Sequence, residues 1–137
     1  MLEPTLMTWR LVIHVLAATI WVGGQFLLAA AVAPLRQISD DAVKAAARTF
    51  ARLAWPAFGV LILTGIWNLM AMNLSGASVQ RQVTILVKIL VALASGVGAA
   101  IHQIGTSKAA LAVGGALGAL GSVIALFLGI LIRTGVG

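Results

Sequence analysis

His14, Trp21 and Gln25 recur at spacings of seven and four in RLVIHVLAATIWVGGQFLLAAAVAP (10–34), a stretch that is otherwise almost entirely apolar. At 100° per residue Trp21 and Gln25 fall within about 20° of His14 on a helix, so one stripe holds the polar side chains. Two other stretches repeat the pattern. Thr64 and Asn68 lie one turn apart with Trp67 beside them, and Lys88, Ser95 and His102 fall within about 40° of one another. A neutral imidazole is a common metal ligand. Thioethers stand near the ends of the same stretches, at Met7, Met70 and Met72. Imidazole with thioether suits Cu(I), which is soft and accepts few ligands. Met70 and Met72 are about 200° apart on an ideal helix, so both could bind one ion only if the helix ended there. The candidate metal ligands are therefore His14, Met7, Met70 and Met72, with Trp21, Gln25, Trp67, Asn68 and Lys88 as the candidate cofactor-binding surroundings.

The elements that position these residues follow from composition. The 137-residue chain is 61% hydrophobic and only 9% charged, with a mean hydropathy of +1.11. Soluble domains carry about 25% charged residues, so this chain belongs in lipid. Apolar runs cover about 11–33, 54–74, 83–104 and 109–132, each approaching the roughly 20 residues that cross hydrocarbon as a helix. Backbone groups in lipid must be satisfied within their own segment, which leaves helices. Short later connections predict an all-α, antiparallel four-helix transmembrane bundle in a single domain, 1–137. The first run far exceeds the roughly 7–15 apolar residues of a signal peptide, so it is expected to stay as a span.

The long first connection, about 34–53, has its own pattern. Ser39 is a candidate N-cap, Asp40 and Asp41 suit the first turn of a helix, and Lys44, Arg48 and Arg52 follow at i, i+4 spacing. The net charge of +6 comes from basic residues placed singly at the ends of apolar runs, a topology signal and not a nucleic-acid patch. Arg36, Lys44, Arg48, Arg52 and Lys108 flank one side, and Arg10, Arg81 and Arg133 the other. This bias predicts a cytoplasmic first connection and extracytoplasmic termini. There is no cysteine, which excludes disulfides, thiolate sites and thiol nucleophiles.

Depth then separates the polar residues. His14 lies about a turn below the outer surface, with Lys88, Trp67 and Asn68 near it. His102 follows Lys88 by fourteen residues, roughly 21 Å at about 1.5 Å per residue, so the two histidines cannot share one metal or one haem. His102 reads as a hydrogen-bonded interfacial residue. Small residues recur every fourth position at Ala92, Gly96 and Ala100, at Gly114, Gly118 and Ser122, and at Gly121, Ala125 and Gly129, as close helix packing requires.

The order of these features resembles the CopD (copper resistance D) membrane domain family of the bacterial inner membrane. The resemblance rests on His14-x6-Trp21-x-Gly23-Gly24, on FARLAWPAFGVLILTGIWN (50–68) with its Thr64-Gly65-x-Trp67-Asn68 exit, and on TILVKILVALASG. It covers roughly residues 10–100 and implies copper uptake or resistance. The HemJ-type protoporphyrinogen oxidases look like relatives, in which a first-span histidine and a third-span lysine, here His14 and Lys88, surround a b-type haem. This chain departs from that pattern in the sparse polar and aromatic character around Lys88.

The leading expectation is a copper-handling protein that receives Cu(I) at His14 near its outer face. The alternative is a b-type haem protein with His14 axial, Lys88 on a propionate and Ala17, Ala18 and Gly24 making room. A third reading is an accessory subunit, or a homo-oligomer, packed through its Gly-rich helices. No catalytic residue is assigned in any of them.

Overall fold

The computed structural model describes residues 2–135. The described residues form helices and no strand: α1 (Leu6–Ala18), a π-helical turn (Thr19–Gly23), α2 (Gly24–Ile38), α3 (Asp40–Met70), α4 (Val79–Ile104) and α5 (Lys108–Thr134). The first three run on without a break. The chain thus has four helices long and apolar enough to cross a membrane: Leu6–Ile38, Asp40–Met70, Val79–Ile104 and Lys108–Thr134.

Helices α1, α3, α4 and α5 each begin where a hydroxyl can accept from an otherwise unpaired amide. Thr5 and Thr8 form a capping box at α1, and Ser39, Ser78 and Ser107 accept from the backbones of Ala42, Arg81 and Ala110. The first connection differs from the expected loop. Residues 34–38 continue α2, residues 40–53 open α3, and only Ser39 is extended. The alanine-rich DAVKAAARTFARLA has high helix propensity, so nothing there favours a loop over a helix. At 31 residues α3 is roughly 46 Å long, well beyond the roughly 30 Å of hydrocarbon, so its basic opening turns overhang the apolar part. The second span stops at Met70, short of residue 74. Beyond it the Asn73 side chain accepts from the Ser75 hydroxyl and the Gly76 amide, the local competition that ends helices.

The chain divides into two compact units, residues 1–72 and 73–137. In the first, α1 and α2 pack on α3 in a ladder that descends α3 as it climbs the chain. Arg10 meets Trp67, His14 meets Thr64, Trp21 meets Phe58 and Trp55, and Gly24 abuts Phe50. All three carboxylate side chains of the sequence, Glu3, Asp40 and Asp41, belong to this unit. The second unit has none.

In the second unit α4 and α5 form a hairpin held by close backbone contact. A Cβ added to Gly98 would lie 2.6 Å from the Gly118 amide nitrogen and 2.8 Å from Leu117 Cβ. Ser95, almost wholly buried, donates its hydroxyl to the Gly118 carbonyl at 2.8 Å. Near the turn His102 Nδ1 donates to the Leu111 carbonyl at 2.6 Å. The α5 glycines therefore pack as their spacing predicts, with Gly114, Gly118, Gly121 and Ser122 all buried. On α4 the contact runs through Ser95, Gly98 and His102, because the Ser95 hydroxyl finds its acceptor across the interface.

Gly98→Leu must push the two helices apart and should destabilise the hairpin by about 1–3 kcal/mol. Ser95→Ala, which removes one interhelical hydrogen bond, should cost about 0.6 kcal/mol. Unfolding of both variants in detergent micelles checks the order; a larger effect from Ser95→Ala would contradict glycine-limited packing.

Candidate functional site

His14 sits in the third turn of α1 and is half-buried. Its Nδ1 lies 2.6 Å from the Thr64 hydroxyl, on the facing turn of α3. That hydroxyl has one hydrogen, and the Val60 carbonyl stands 2.6 Å from the same oxygen, with the Leu61 carbonyl at 3.3 Å. Thr64 thus donates back along its own helix and accepts from Nδ1–H of His14. The neutral ring then carries its lone pair on Nε2. A second group that fixes the tautomer of a histidine in this way also fixes the direction in which it can coordinate. Gly65 lies beside the ring, where an added Cβ would stand 4.0 Å from Cε1.

One turn along α1 from His14 is Arg10, and one turn along α3 from Thr64 is Asn68, so the two pairs face each other as successive rungs. Arg10 is only 8% exposed, and its guanidinium carbon lies 5.6 Å from the centroid of Trp67. Arg10 Nε and Asn68 Oδ1 are both buried without a hydrogen-bond partner among the described residues. The aromatic face contributes about 0.5–2 kcal/mol. Removing an ion from water costs several kcal/mol even after relaxation, so Trp67 alone does not balance this charge. No described carboxylate does so either, since the ion pair among the described residues joins Lys44 to Asp41. The periodicity already carried this signal, since Arg10 lies about 40° from His14 on the same stripe. Its position at the end of an apolar run hid it among the topology charges.

Other candidate residues are placed differently. Trp21 is 4% exposed and packs with Phe58 at 4.5 Å and Trp55 at 5.6 Å between ring centroids, an aromatic cluster two turns below His14. Gln25 turns back to donate to the Trp21 carbonyl at 2.9 Å, satisfying backbone beside the π turn. That turn takes up an extra residue and displaces later positions by about 100° from ideal-helix arithmetic, so the His14 stripe does not continue straight to Gln25. The space at Gly24 is taken by the Phe50 ring, and Ala17 is 5% exposed, so neither offers a flat cradle for a macrocycle. Met7 and Met70 are 48% and 80% exposed, and Met72 lies just past the end of α3. Lys88 belongs to the second unit, where its ammonium end reaches the Gly129 flank of α5. No group of three or more His, Cys, Asp or Glu gathers among the described residues.

The hydrogen-bond assignment has a direct readout. Nitrogen NMR of His14 should give the Nδ1–H tautomer in the parent protein. Thr64→Val, which keeps shape but loses the oxygen, should mix the tautomers and cost about 1–3 kcal/mol for the unsatisfied Nδ1–H. An Nε2–H tautomer in the parent would overturn the assignment.

Comparisons of the chain with protein-family models, with curated proteins and with solved structures give no match.

Proposed function

We propose that the protein handles copper in a bacterial inner membrane, receiving Cu(I) at His14 Nε2 near the extracytoplasmic face. The observation that carries this reading is the Thr64 hydroxyl on Nδ1, which leaves the lone pair of the neutral ring on Nε2. Met7 on α1, Met70 at the end of α3 and Met72 just past it offer thioether donors, and Cu(I) tolerates two or three such ligands. Arg10 sets the strength of the site. A guanidinium roughly 6 Å from a monovalent cation opposes it by about 3 kcal/mol at an effective dielectric constant near 20. Such a site holds copper loosely, which suits transfer more than storage. The haem reading draws on the same Nε2, and the guanidinium would favour an anionic macrocycle, yet the Gly24 flank is filled.

Detergent-purified protein should be colourless and bind about one copper per chain when Cu(I) is added back, and His14→Ala should abolish that binding and reduce cellular copper tolerance. A Soret band lost in His14→Ala would replace copper with haem. Metal content and tolerance unchanged in His14→Ala would leave an accessory subunit.

The orientation is tested separately. The chain lacks cysteine, so single cysteines at Lys44 and Ser75 report on either end of α3 without background. A membrane-impermeant thiol reagent added outside intact cells should label Ser75→Cys and spare Lys44→Cys. The reverse pattern would put His14 near the cytoplasmic face.

A further inference from the structure

Arg10 and Asn68 present complementary demands on the same rung of the first unit. Arg10 Nε is a buried cationic donor, and Asn68 Oδ1 is a buried acceptor, each without a partner among the described residues. Arg10 is more than nine-tenths buried, and no described carboxylate pairs with it. Trp67 lies over the guanidinium, 5.6 Å from its carbon to the ring centroid, and is itself 41% exposed.

From this geometry we infer that Arg10, Trp67 and Asn68 form a binding site for a phosphate group that carries a neighbouring O–H or N–H donor. The anionic oxygens accept from the guanidinium, whose planar fork matches phosphate. The neighbouring donor satisfies Asn68 Oδ1. A carboxylate or a sulfate meets only the first demand, because neither brings a donor near neutral pH. Two sources share the required chemistry: free hydrogen phosphate, with its own O–H, and an ethanolamine phospholipid headgroup, with its ammonium. The site lies one turn from His14 but does not depend on metal binding there.

The test uses the full chain in a neutral maltoside detergent, read as the thermal unfolding midpoint. Sodium phosphate is compared with sodium sulfate at equal ionic strength, since both are excluded from protein surfaces and stabilise generally. In parallel, mixed micelles of phosphatidylethanolamine are compared with phosphatidylcholine, whose phosphate lacks the donor. The proposal expects a midpoint at least about 3 °C higher in phosphate than in sulfate, or in ethanolamine than in choline lipid, and the arm that responds identifies the source. Arg10→Met should abolish the difference while melting no lower than the parent without ligand, because it removes an unbalanced buried charge. Should that variant fail to fold, Asn68→Leu should reduce the phosphate–sulfate or ethanolamine–choline difference at least twofold. Equal midpoints in both arms, or a difference that survives Arg10→Met or Asn68→Leu, would overturn the proposal. Neither readout involves copper, so failure here leaves the His14 reading standing, and the reverse also holds.

Discussion

The hydrogen bond between His14 and Thr64 joins two helices at a depth where neither polar group has a cheap alternative. An imidazole N–H packed between apolar helices must find an acceptor, and the facing hydroxyl supplies it while passing its own hydrogen to Val60. This chain of donors sets the register of α1 on α3. Trp67 is thereby brought to Arg10 on one side, and Trp21 to the Trp55 and Phe58 rings on the other. Sliding α1 by one residue would rotate the imidazole away from Thr64 and break every rung.

The two units solve the problem of packing apolar helices by different means. The first uses a polar rung, a cation on an indole and a cluster of aromatic rings. The second relies on small residues: Gly98 against Gly118 allows the backbones to meet, and two short bonds, from Ser95 and His102, fasten the hairpin at separate levels. Side-chain chemistry is thus concentrated in the first unit, where every residue of the Thr64-Gly65-x-Trp67-Asn68 segment except the intervening one touches or neighbours the His14 and Arg10 rungs. Lys88 is the exception, an amine that lies against Gly129 of α5.

Much of this was legible in the sequence. Four apolar runs marked the helices, Ser39 and its two aspartates marked the start of α3, and the glycine spacing marked the α5 interface. The polar face of α1 was legible too, since His14 and Trp21 both pack on α3. What escaped has identifiable physical causes. The helical run-on of 34–38 into α2, which leaves Ser39 alone as the connection, was not marked by any residue type. The π turn interrupts the 100° progression, and no residue type announces it. Arg10 was concealed because a basic residue at a span end normally signals topology, and only packing against Trp67 distinguishes a buried guanidinium from a snorkelling one. On α4 Gly96 is buried as its spacing predicts, and Ser95 and Gly98 join it, a widening that small-residue spacing does not encode because Ser95 contributes a hydrogen bond.

The second unit contains no Asp or Glu, and this bears on its behaviour in acid. Proteins generally unfold at low pH because carboxylates held ionised by native partners are forced to take up protons. Here no side-chain carboxylate exists to lose. The hairpin is therefore built without any side-chain carboxylate, and all three in the sequence, Glu3, Asp40 and Asp41, belong to the other unit.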